Sequence, residues 1–452
     1  LKFDVVVVGA GIAGTFAAKT VSKLGLNVCL LERKPTNRIG EKVCGDGIER
    51  PDLDELGISM PKGDEVENRF NGVNLFAPDT NICISLKREG YVVNRLKFGQ
   101  YLLKNALNAG SEFRDEIMVL GVILTKGKVV GVKVKDVKSG KKEKIKGKVV
   151  IDASGLYSPL RKTINNPYIE REFNMEDTWV CFRQIIEFRE MDFNSQQLHI
   201  YFSHGRVPRE YWWFFPKSET RANLGVCIRG NAVHNVKACY NRYFKSEIQS
   251  KIRPPIKIIH QGGGVVSTRR PIWSMVGEGI LFTGDAACLA NPIHGGGIGP
   301  AMRSGIYAGE AVSDAIEQDD YSIDGLWEYN KRFALDQGGL FVAVDLLRVP
   351  FQRFTDAEVN YVVHKVLSSQ DLLNLLDGRI DQIDLSAILE EKKEDLNQSD
   401  ILQDLLLTFD QMKRVKKLYE KYPDRPNFDR WRGKILKIYA KVKRAIPEKL
   451  VN

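Results

Sequence analysis

The opening residues constrain this chain more than any others. Residues 2–8 are an apolar run with four consecutive valines, the pattern of a strand buried on both faces in a parallel sheet. They run into Gly9-Ala10-Gly11-Ile12-Ala13-Gly14, a G-x-G-x-x-G that opens a helix predicted over 12–24 and ended by Gly25. A second strand is predicted at 27–31, closed by Glu32 and Arg33, so one βαβ unit fits within about 30 residues. Gly9 permits the tight turn, Gly11 lets the main chain approach a pyrophosphate, and Gly14 lets helix and sheet pack closely. The helix start offers unpaired N–H groups and partial positive charge to phosphates. Glu32 stands where a carboxylate can accept hydrogen bonds from ribose hydroxyls. These residues predict a Rossmann-type dinucleotide site.

At 452 residues the chain exceeds a single core and is expected to divide. Strand-like segments, including 198–202, 211–215 and 222–228, dominate residues 168–266, whereas the chain after 326 reads as mainly helical. The predicted fold is α/β: a discontinuous nucleotide-binding domain (1–65, 91–165 and 265–335), an inserted antiparallel-sheet domain (66–90 and 166–264) and a helical C-terminal region (336–452). No apolar run reaches the roughly 18–20 residues that span a bilayer, and the first residues leave no room for a signal peptide, so a cytoplasmic chain is expected. The seven cysteines form no C-x-x-C pair, which argues against a cluster, a zinc site or a disulfide framework; most are expected to be buried fillers. The six histidines show no ligand-like spacing, and no metal is expected.

Two later segments point to FAD rather than NAD. Gly284-Asp285-Ala286-Ala287 follows a predicted buried strand at 279–283 and precedes Pro292-Ile293-His294-Gly295-Gly296-Gly297-Ile298-Gly299, which leads into a helix. In flavoproteins the Asp of such a segment contacts the ribityl chain, and the helix start stabilises negative charge on the reduced ring. Asp152-Ala153-Ser154-Gly155 is a third matching segment.

Taken together these segments resemble flavoproteins of the p-hydroxybenzoate hydroxylase type, and more narrowly the geranylgeranyl reductase family. The narrower resemblance rests on Lys42-Val43-Cys44-Gly45-Asp46-Gly47, on Asn94-Arg95 before a helix, and on Pro208-x-x-Tyr211-x-Trp213-x-Phe215-Pro216. The family usually continues with G-x-G, where this chain has Gly225-Val226-Cys227. The resemblance implies FAD as cofactor, held also by Cys44, Gly45, Asp46, Gly47, Arg95, Asp152, Ser154, Gly155, Gly284, Asp285, Pro292, Gly295, Gly296, Gly297 and Ile298. It implies a substrate face made by Tyr211, Trp213, Phe215, Pro216 and Gly225, and reduction of isolated C=C bonds in isoprenoid chains. Candidates for the proton donor are Cys44, His294 and Tyr211, besides a flavin-bound water. Cys44 has alternative readings as a disulfide partner or an inert thiol. A monooxygenase or halogenase of the same fold is the main rival, and a non-catalytic flavin or lipid carrier a third reading.

Partners follow from the same reasoning: an isoprenoid phospholipid, an external electron donor (a ferredoxin or NAD(P)H), no nucleic acid, and a monomeric chain. The net charge of +10 is uneven, with 14 Lys/Arg against 4 Asp/Glu over residues 411–452. Such a tail suits an anionic membrane surface or a solvated helix. Residues 431–446 place Trp431, Ile435, Ile438, Tyr439, Val442 and Ile446 mostly on one helical face, which is expected to dock on the protein's own core.

Overall fold

The computed structural model describes residues 3–60, 62–79, 83–203, 210–232, 234–383 and 399–446. The valine run is the central strand β1 (Phe3–Val8), and Gly11 precedes helix α1 (Ile12–Lys23). Next come β2 (Val28–Leu31), β3 (Gly47–Glu49), the short helix α2 (Arg50–Asp54), β4 (Val66–Phe76), β5 (Cys83–Val93) and α3 (Arg95–Asn108). After β6 (Glu112–Arg114), the strands β7 (Ile117–Thr125), β8 (Lys128–Asp136) and β9 (Lys142–Asp152) form a meander. β9 is one continuous strand. Its first half pairs antiparallel with β8, and its second half runs parallel to β1 as the buried stretch Val149 to Asp152. Alternation marks the first half and a solid apolar run the second, so one strand carries both patterns.

The second layer contains β10 (Thr178–Glu187), β11 (Glu190–Met191), β12 (Gln197–Ser203), β13 (Glu210–Ser218), β14 (Arg221–Arg229), helix α4 (Val236–Tyr243), β15 (Ile252–Arg253) and β16 (Lys257–Ser267). The chain then returns through β17 (Val276–Gly277) and β18 (Ile280–Phe282) into the long helix α5 (Ile298–Glu317). The nucleotide sheet runs β17-β18-β9-β1-β2-β6, and the second sheet β16-β10-β14-β13-β12-β4-β5-β3. All pairs in the second sheet are antiparallel except β12 with β4.

Period-two alternation divides the five-aromatic run of β13 as expected. Trp212 and Phe214 face a core shared with Tyr201, Tyr240 and Tyr243, where α4 covers one side of the sheet. Tyr211, Trp213 and Phe215 lie on the opposite face with Trp179, Cys181 and Cys227. The helix Phe428–Ala445 buries Phe428, Trp431, Ile435 and Val442, so its apolar face docks on the protein's own core. Among the described residues, no helix is long and apolar enough to cross a membrane.

Candidate active site

The first glycine loop fits a dinucleotide. A Cβ at Gly14 would stand 1.8 Å from the Gly9 carbonyl oxygen, so the glycine is required for helix and loop to touch. Gly9 has φ +103°, and a Cβ there would lie 2.5 Å from the Ala153 oxygen. At Gly11, by contrast, a Cβ would meet nothing within 4 Å, which leaves the open approach a pyrophosphate needs. Ala10, Ala13 and Gly14 are buried and shape the loop, while Ile12 is half-buried and Arg33 exposed. Among the described residues no side chain caps α1 or α5, and neither first turn carries an acid. Both helix starts therefore keep their positive ends for an anion.

Glu32 ends β2 as expected and accepts hydrogen bonds from the N–H of Ala10 (2.9 Å) and of Lys34 (3.0 Å). Arg95, only 8% exposed at the start of α3, has no partner among the described residues for Nε or Nη1. An unpaired buried guanidinium is costly, and an anionic cofactor would relieve it. Asp285 pairs with Lys42 from the opposite loop. These features fit FAD: a bare loop, two uncapped helix starts and an unsatisfied cation.

Two residues expected at the cofactor have buried carboxylates paired within the protein. Asp152 is fully buried, accepting from Ser154 N–H at 2.9 Å and from the Ser158 hydroxyl, with Arg161 near it. Its carboxylate braces the Ser154-Gly155 turn. Asp46 is likewise buried, at φ +69°, and is held from behind by Lys217 Nζ (3.0 Å) and Asn223 Nδ2 (2.7 Å). Spacing alone marks both acids as candidates but does not reveal these internal partners.

The second sheet meets these loops directly. A Cβ at Gly45 would lie 2.8 Å from the Phe215 ring, and one at Gly295 would lie 3.2 Å from the Trp179 ring and 3.7 Å from Tyr211 Oη. The face formed by Trp179, Tyr211, Trp213 and Phe215 is therefore seated on the Cys44 loop at one end and the 292–298 loop at the other. Tyr211 donates its hydroxyl proton to the His294 carbonyl oxygen at 2.9 Å, which commits that proton to the scaffold. Gly225 accommodates the Trp213 ring, Pro216 is buried at the end of the face, and Pro208 lies outside the described residues.

Cys44 is a half-buried free thiol whose Sγ accepts the Asp46 N–H at 3.3 Å. Asn223 fixes this loop, donating to the Cys44 carbonyl oxygen and to Asp46 Oδ2, both at 2.7 Å, while accepting from Trp213 Nε1 at 3.1 Å. Lys217 completes the anchor, donating to the Val93 carbonyl oxygen at 2.8 Å and pairing with Glu67 at 2.6 Å. Neither Asn223 nor Lys217 stands out by sequence; the only signal was their period-two phase with Phe215 and Gly225. Arg183, buried beside Gly225, reaches His260 Nδ1 at 3.1 Å and was also missed.

Burial, with Arg88 nearby, pushes the His294 pKa down to about 4, so the imidazole is neutral near pH 7. Its Nδ1 accepts the Gly296 N–H at 3.1 Å, which places the ring proton on Nε2. Cys29, Cys239 and Cys288 are buried thiols as expected, but Cys181 and Cys227 are paired in a disulfide. These two stand directly opposite on β10 and β14, an adjacency that sequence spacing does not show. Cys227 occupies the place of the second glycine in the usual G-x-G, and β14 continues its regular pairing through it.

Residues 177–266 match the geranylgeranyl reductase catalytic domain family, and residues 4–168 match the lycopene cyclase protein family. A relative from Sulfolobus acidocaldarius, named digeranylgeranylglycerophospholipid reductase, is 31% identical over 442 residues, covering 96% of this chain and 97% of that one. A Methanopyrus kandleri protein of the same name is 32% identical over 74% of this chain and 86% of its own length. Among solved structures, a geranylgeranyl bacteriochlorophyll reductase-like protein from Thermoplasma acidophilum superimposes with a TM-score of 0.76 at 26% identity, covering 87% of this chain and 98% of that one. A flavin-dependent brominase, at a TM-score of 0.64 and 21% identity, shares the fold over 88% of this chain and 100% of its own. The chain belongs to the digeranylgeranylglycerophospholipid reductase family of FAD-dependent oxidoreductases.

Proposed function

We propose that this protein saturates isolated C=C bonds in the geranylgeranyl chains of archaeal-type glycerophospholipids. The observation that carries this reading is the apolar face of Trp179, Tyr211, Trp213 and Phe215, which bridges the two loops that would border the flavin. An unconjugated alkene has no carbonyl to polarise. Positioning in a dry site and protonation of carbon must therefore lower the barrier. When bound, reduced FAD supplies the hydride for one alkene carbon.

The chain's own residues have three tasks in this reading. Gly9, Gly11, Glu32, Arg95 and the uncapped starts of α1 and α5 hold the cofactor. The signature face holds the alkene and keeps water away. Cys44 is the candidate proton donor: its loop meets that face at Gly45, and the Asp46 N–H orients its sulfur. His294 presents Nε2–H to cofactor or substrate, and Tyr211 positions the 294 backbone.

Exposing a chain of about 20 carbons to water costs on the order of 16 kcal/mol, so such a lipid should pass from membrane to protein without crossing solvent. Lys434, Lys437, Lys441, Lys443 and Arg444 are exposed on the last helix. In this account they draw a monomeric, peripherally bound protein to anionic lipid, at about 1 kcal/mol per charge. An external donor, a ferredoxin or NAD(P)H, restores the reduced flavin.

The test is anaerobic. Dithionite-reduced holoprotein mixed with a geranylgeranyl phospholipid should regain the oxidised flavin spectrum without oxygen. A monooxygenase or halogenase would regain it only when oxygen is admitted.

A further inference from the structure

Each reduction consumes a proton inside a site built to exclude water, so the spent donor must recover one from solvent. Directly behind the Cys44 loop lies a cluster of ion-paired titratable groups. Glu67 Oε2, on a side chain 15% exposed, lies 2.6 Å from Lys217 Nζ, and the same nitrogen lies 3.0 Å from Asp46 Oδ2. Lys217 and Asp46 are each 1% exposed at the side chain. Asp46 Oδ1, also buried, has no partner among the described residues, and the Asp46 main-chain N–H already touches Cys44 Sγ. At the outer end, Arg221 links Glu67 to Glu187, whose side chain is 35% exposed. Burying a lysine and a carboxylate together is seldom a gain in stability, so their presence beside the Cys44 loop points to a use beyond anchoring it.

We propose that Glu67, Lys217 and Asp46 form a proton-delivery path from the surface to the Cys44 thiol. This rests on Cys44 as the proton donor in the reading above. The thiol gives its proton to the alkene carbon that does not receive the hydride, leaving a thiolate. A proton then moves from the Lys217 ammonium through the Asp46 carboxylate to sulfur, and the neutral amine left behind regains a proton from solvent through the Glu67 carboxylate. One hydride and one proton enter the lipid, and no other oxidant or reductant is needed.

An arginine separates relay from scaffold. Lys217→Arg keeps a positive charge between the two carboxylates, but a guanidinium does not release its proton in proteins. Glu67→Gln keeps an acceptor oxygen at the partly exposed end and removes the exchangeable proton. Both variants, with flavin loading and thermal midpoint measured, are reduced and mixed anaerobically with a geranylgeranyl phospholipid in H₂O and in D₂O. The proposal expects multiple-turnover lipid reduction to fall about tenfold or more in both, with a larger solvent isotope effect and an unchanged KM. It is overturned if flavin-loaded variants turn over within about twofold of the parent, or if they slow with no change in isotope effect. Where Lys217→Arg fails to load flavin, Glu67→Gln alone decides. If the parent protein itself is not reoxidised by the lipid, the proposed function fails, which is a distinct result.

Discussion

Trp213 and Gly225 are register partners on β13 and β14, and the indole occupies the space a side chain at 225 would need. A Cβ there would stand 2.3 Å from Trp213 Cζ2 and 2.8 Å from Arg183 Cβ. Both neighbours are buried, so neither can move away cheaply. Gly225→Ala should lower stability by about 1–3 kcal/mol and displace Trp213 from the face, raising KM for lipid while flavin binding stays intact. Chemical denaturation, flavin titration and steady-state kinetics on one preparation would show the split.

Arg95 provides a separate test of the cofactor site, because its guanidinium has two buried nitrogens without partners among the described residues. Arg95→Met should leave the flavin-free protein as stable as the parent or more so, since it removes an uncompensated buried charge. The same change should weaken FAD binding about tenfold or more. Calorimetric titration with FAD, beside thermal unfolding of the flavin-free protein, distinguishes the two effects. Unchanged affinity would remove Arg95 from the site.

Glu170 clamps the two segments that connect the sheets. Arg269 and Arg270 pair with it at 2.5 and 2.9 Å, and the Trp273 N–H donates to it at 3.1 Å. Burial alone would raise its pKa, but Arg270 and Arg269 overcome that and bring it from 4.5 down to about 2. A folded-state value below the unfolded one means stability that is complete above pH 4.5 and lost as pH falls toward 2. The shift corresponds to on the order of 3 kcal/mol. Glu170→Gln should therefore be clearly less stable than the parent at pH 7, and the gap should narrow steadily below pH 4.5. Urea midpoints at several pH values measure this directly.

The exposed lysines of the last helix set the expected response to membranes. Changing Lys434, Lys437 and Lys441 to Gln should cut binding to anionic vesicles by a factor of ten or more, at about 1 kcal/mol per charge, and leave binding to neutral vesicles unaltered. Co-sedimentation at low and moderate salt provides the comparison, because screening should erase the difference.

Much of the fold was readable because its signals are local. The valine run, the glycine spacing and Glu32 lie within one βαβ unit, and a solid apolar run identifies a strand buried on both faces. The faces of β13 followed from alternation alone. Helix α4 was missed: it is only eight residues long, and its cap Asn235 follows a polar stretch that reads equally well as a turn. The double character of β9 was hidden because its antiparallel and parallel halves carry different periodicities. At the site, sequence spacing picks out candidate loops but not the internal partners of their side chains. The buried carboxylates of Asp46 and Asp152 are bonded to Lys217, Asn223, Ser154 and Ser158, pairings that no spacing shows. The Cys181–Cys227 bond and the anchor made by Asn223 depend on register between strands distant in sequence, which no local pattern encodes.

The mass of the lipid after one anaerobic turnover with reduced holoprotein tests the proposed reaction head-on. The lipid should gain two hydrogens for each double bond saturated, with no oxygen or halogen incorporated and flavin oxidised in equal amount. An unchanged lipid, or a product that forms only in air and carries oxygen, would contradict it.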